Sequence, residues 1–81
     1  MTYCLESYKD RDGLVAHIEQ DKYSSCYRLD VVRMIDECRG QTVFKGTYVS
    51  IPNARRAMRK QMTAPVTKTY DFYDDHKKEE M

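Results

Sequence analysis

Glycine is scarce in this 81-residue chain, with three in all, too few to build a glycine-rich dinucleotide loop. A Walker sequence is absent, and so is the G-x-S-x-G turn of the serine hydrolases. No apolar run approaches the roughly 18 residues of a membrane span. The first residues, MTYCLESYKDRDG, carry charge too early for an export signal, so a cytoplasmic protein is expected. Internal repeats and low-complexity linkers are missing as well. The three cysteines, Cys4, Cys26 and Cys38, are odd in number, widely spaced and form no C-x-x-C pair. Reduced thiols are expected of them; zinc held with His17 is the sharper alternative, against which the ligand spacings of structural zinc speak.

What is present suits a soluble globular chain. Hydrophobic residues make up 41% and charged residues 33%, a balance that disordered sequences do not have. A chain this short forms one domain, expected over residues 1–73, and buries only about 60–65% of its unfolded surface. Residues 74–81, DDHKKEEM, read as a charged, disordered tail. Net charge is +1, unevenly placed. Residues 54–70 hold five basic side chains and no acidic one, whereas residues 71–81 hold five acidic and two basic. A basic block followed by an acidic end is the main electrostatic feature.

The segment Ser50 to Met62, SIPNARRAMRKQM, reads as an amphipathic helix. Ser50 is a natural N-cap, and Pro52 sits in the first turn, where its missing N–H costs nothing. Ile51, Ala54, Ala57, Met58, Gln61 and Met62 recur at the spacing of one helical face. Arg55, Arg56, Arg59 and Lys60 occupy the other side, and Pro65 stops the run. Burying Ile51, Met58 and Met62 would contribute about 1.5–3 kcal/mol each. So short a helix is marginal alone and must dock.

Strands are expected around it. Tyr3 to Tyr8 alternates weakly, KDRDG over residues 9–13 is a turn, and Leu14 to Glu19 alternates well. Residues 21–25 are polar and loop-like. Residues 26–37 fit two templates: a strand with Tyr27, Leu29, Val31 and Ile35 on one face, or a helix stacking Tyr27, Val31, Met34, Ile35 and Cys38. Tyr, Val and Ile favour the strand, as does the turn at 37–40 leading into TVFKGTYV. Gly46 within that strand marks a bulge, a close backbone approach or a tolerated edge position. Residues 66–73, VTKTYDFY, form a fifth strand or an edge able to pair with another chain. The expected fold is α+β: a four- to five-stranded antiparallel meander with one helix, about 50–63, on one face. The other face must then be polar, paired with a second copy as a homodimer, or used for binding.

No catalytic constellation is legible, because His17 could meet a nucleophile only through the fold and His76 lies in the tail. A non-enzymatic binding module without cofactor or metal follows. Tyrosines and a ridge of arginines suit a protein partner, as in small adaptors and inhibitors, among them many phage-encoded effectors. The candidate contacts are Arg55, Arg56, Arg59, Lys60, Lys68, Tyr70 and Tyr73. Nucleic acid is the alternative, with the same cations on phosphates. In element order the arrangement also resembles the arm-site DNA-binding domains of tyrosine recombinases, which implies a sheet entering the major groove. Four neutralised phosphates would give a log–log salt slope of about −3 to −4.

Overall fold

Alternating apolar residues turn the first half of the chain into a sheet. The computed structural model, which describes residues 2–21 and 25–72, contains five antiparallel strands and one helix. These are β1 (Thr2–Lys9), β2 (Leu14–Asp21), β3 (Tyr27–Met34), β4 (Gly40–Tyr48), α1 (Ile51–Gln61) and β5 (Thr67–Asp71). The spatial order is β4-β3-β2-β1-β5, so the chain meanders through four strands and then carries α1 across the sheet to pair β5 with β1. The α+β expectation holds, with the larger number of strands. Tyr73 and the tail lie outside the described residues, as does most of the loop after β2.

Residues 27–34 are extended because that conformation buries the right pair. Leu29 and Val31 point to one face and are fully buried there, while Met34 and Ile35, needed for a helical core, stay exposed. The bend after β3 is organised by Asp36, whose carboxylate accepts from the backbone N–H of Cys38 at 2.9 Å and of Arg39 at 2.8 Å.

Two of the three register shifts in the sheet explain the irregular patterning; the third, between β1 and β5, leaves out Thr69. Alternation fails in β1 because the register shifts between Cys4 and Glu6, leaving Leu5 unopposed. The inward positions therefore change parity along this strand. In β4 the shift leaves out Val43, between the pairs Val32–Thr42 and Val31–Phe44. Gly46 is not itself the bulge. A β-carbon there would lie 2.6–2.9 Å from ring atoms of Tyr48, so glycine makes room for that ring. Gly13, at φ 89°, closes the β1–β2 turn in the left-handed region, where other residues are strained.

The helix docks as its periodicity requires. Ser50, in an extended conformation, accepts at Oγ from the N–H of Asn53 at 3.3 Å. Ala54 and Met58 are fully buried and Met62 nearly so, packed with Tyr8, Leu14, Ala16, Ile18, Leu29 and Val31. Ile51 and Ala57 are half-buried, and Gln61 is exposed although it shares the expected stripe. The helix lies over β2, β3 and β4. The opposite face carries Ser7, Val15, His17, Glu19, Arg28, Asp30 and Lys45, as the cross-strand register and alternation require. Among the described residues no helix is long and apolar enough to cross a membrane.

Candidate binding surface

The arginine ridge of α1 is not uniform. Arg55 reaches from the helix to Glu6, a β1 carboxylate only 2% exposed. Its Nε donates to Oε1 at 2.9 Å, and its Nη2 donates to Oε2. The Tyr8 hydroxyl donates to the same Oε1 at 2.6 Å, and Lys68 Nζ stands 3.7 Å from Oε2. Burial pushes the Glu6 carboxyl up, but the hydrogen bonds from Arg55 and Tyr8 and the two cations outweigh it, leaving the group below its ordinary value. Tyr8 is pushed up by burial and by Glu6. Arg55 is held charged above its usual range, first by the Glu6 hydrogen bond. Arg55 is therefore a fastener between helix and sheet.

The next residues along the ridge face outward. Arg56, Arg59 and Lys60 are exposed. None of them meets a carboxylate among the described residues; Arg56 Nη2 donates to the Asn53 side chain at 3.0 Å. Arg56 and Lys60 border an open cleft of about 430 Å³ between α1 and the edge strand β4, completed by Phe44, Tyr48, Asn53, Ala57 and Gln61. Among the described residues no acidic group lines it. The cleft offers aromatic surface below two cations, with amide side chains at the helix flank. In chemical terms such a surface is complementary to a group that is anionic and partly apolar.

The remaining candidates lie at the other edge. Lys68 donates to Asp71 at 2.9 Å and lies 5.8 Å from the centre of the Tyr8 ring, so it too belongs to the Glu6 cluster. The Asp71 hydrogen bond comes first in raising Lys68 above its ordinary value, with Glu6 adding to it. Tyr70 is opposite Ser7 in β5, with its ring partly exposed. The seven proposed contacts thus separate into a free helical group of three, an internally engaged pair of cations and a tyrosine on the far edge, with Tyr73 beyond the described residues.

The fold also brings His17 to a serine. Ser7 Oγ lies 2.8 Å from His17 Nδ1 and 3.3 Å from Cys4 Sγ. With the ring proton on Nε2, Ser7 donates to Nδ1. The serine is only 8% exposed, so its oxygen is poorly placed to reach a substrate. None of the three cysteines forms a disulfide, Cys38 being exposed and the others half-buried. Among the described residues no group of three or more His, Cys, Asp or Glu is arranged to hold a metal ion.

Phe44 and Tyr48, which floor the cleft, were not among the candidates read from the chain. Their alternation within β4 and the gap at Gly46 were visible there, but nothing local says that α1 stops short of covering them. Comparison of the chain with protein-family models, with curated proteins and with solved structures returns no match.

Proposed function

We propose that this chain is a non-catalytic binding module, acting in the cytoplasm on a larger protein partner as an adaptor or inhibitor. The observation that carries the reading is the meeting of Arg56 and Lys60 with Phe44 and Tyr48 in one open cleft beside β4, whose outer edge pairs with no described strand. Arginine and tyrosine dominate binding hot spots because they combine contact area with directional hydrogen bonds. Exposed apolar side chains are spread along the β3–β4 hairpin, with Met34 and Ile35 at its turn, Val43 at the bulge and Val49 beyond its far end. The test is capture from a lysate with and without nuclease, using the intact chain, Tyr48→Ala and Arg56→Glu/Lys60→Glu. A protein retained after nuclease treatment by the intact chain and lost by both variants supports the reading. Capture that vanishes with nuclease refutes it.

The second reading, nucleic acid, is favoured by the three outward cations Arg56, Arg59 and Lys60. With Arg55 and Lys68 engaged by carboxylates, three phosphates rather than four are available to this helix face. The salt slope for a duplex then becomes about −2 to −3. A steeper slope would require contacts outside α1.

A further inference from the structure

We infer that the β4 edge takes an extended, acidic segment of the partner as a sixth strand, its side chains on one face entering the cleft beside α1. This rests on the binding-module reading and specifies what the partner presents. Three features of the fold support it. β4 ends the sheet, and from Phe44 to Tyr48 it pairs with β3 without interruption, from Val31–Phe44 to Tyr27–Tyr48. That stretch is therefore a regular edge, with its second row of backbone groups unused by any described strand. The bulge at Val43 bounds it on one side and the helix cap at Ser50 on the other.

The second feature is position. A strand added here would run about 4.8 Å from β4. Alternate side chains of the newcomer would stand on the helix side beside Phe44 and Tyr48, within the cleft that Arg56 and Lys60 border. Backbone pairing would supply affinity and the cleft would supply selectivity.

The third feature is charge. β4, GQTVFKGTY, contains no acidic residue, and its one cation, Lys45, lies on the face away from the helix. Cations flank the helix side of the proposed sixth position, whereas on the other face Lys45 stands opposite Asp30 of β3. Carboxylates alternating with β-branched residues match this arrangement, while a basic segment would be repelled.

The probe is a ten-residue peptide of alternating Glu and Val, titrated into the isotopically labelled full chain and followed by amide chemical shifts. Three controls accompany it: the same peptide N-methylated at alternate residues, a version with Lys for Glu, and the Arg56→Glu/Lys60→Glu chain. Shifts concentrated at residues 44–48 and 53–61, with affinity at least tenfold weaker in each control, are the expected result. Equal binding of the N-methylated peptide overturns strand addition while leaving the binding module intact. No shifts at millimolar peptide, or shifts at the β5 edge, overturn the inference. So do shifts at the same residues caused by a DNA duplex alone, or by raising the chain's own concentration, which would assign the edge to nucleic acid or to a second copy.

Discussion

Glu6 shows how one residue decides the meaning of its neighbours. A carboxylate almost fully out of water needs compensation, and Arg55, Tyr8 and Lys68 supply it. Replacing Glu6 with Gln leaves Arg55 without its counter-charge, while Lys68 keeps Asp71. The loss expected in urea unfolding is about 2–3 kcal/mol, below the 3–5 kcal/mol of a fully buried pair because the arginine side chain still reaches solvent. The pH dependence has a definite sign. Glu6 and Asp10 both have folded values below their ordinary 4.5 and 3.8, despite the opposing pull of burial. Asp10 is lowered by backbone N–H donors, including Thr63 at 2.9 Å and Leu14 at 2.8 Å. Groups depressed in this way add stability that is fully present above their unfolded values and is lost as pH falls through the folded ones. Stability should therefore be flat with respect to these two groups near neutrality and decline below about pH 4.5. Glu6→Gln should flatten part of that acid limb. An acid limb unchanged in the variant would show that Glu6 is not held as described.

At the level of elements, the helix and the sheet were legible for different reasons. The helix announced itself by Ser50, Pro52 and the spacing of Ala54, Met58 and Met62, all local signals with local causes. The strand at 27–34 follows from residue type, and a tertiary fact holds it extended, the joint burial of Leu29 and Val31 beneath α1. The bulges at Leu5 and Val43 were not legible, since a register shift depends on the opposing strand. The pairing of Arg55 with Glu6 was hidden for the same reason, its partners being 49 residues apart. Helical spacing alone puts Arg55 on the same ridge as Arg59; only the placement of β1 separates them. Two substitutions test these element-level statements. Ser50→Ala should cost about 0.5–2 kcal/mol in thermal or urea unfolding by removing the cap. Gly46→Val should displace the Tyr48 ring, because a β-carbon there lies 2.6 Å from its hydroxyl, and should shift the aromatic resonances of Tyr48. An unmoved Tyr48 would mean the ring does not fill that space.

Considered whole, the molecule has nearly balanced charge but two different basic populations. One population, Arg55 and Lys68, holds α1 and β5 to the buried carboxylate of β1. The other, Arg56, Arg59 and Lys60, is exposed along the helix and meets no carboxylate among the described residues. Charge reversal of the outward group should change stability little, since exposed charges contribute about 0–1 kcal/mol, while removing the basis of anion recognition. The division of the ridge is most directly tested by thermal unfolding of Arg55→Gln beside Arg56→Gln at neutral pH. Each kcal/mol is about 4–8 °C in a domain of this size, so Arg55→Gln, at about 2–3 kcal/mol, should lower the midpoint by about 10 °C or more and Arg56→Gln, at about 0–1 kcal/mol, by no more than about 4–8 °C. Equal midpoints for the two variants would contradict the account, because Arg55 would then be as free as its neighbour.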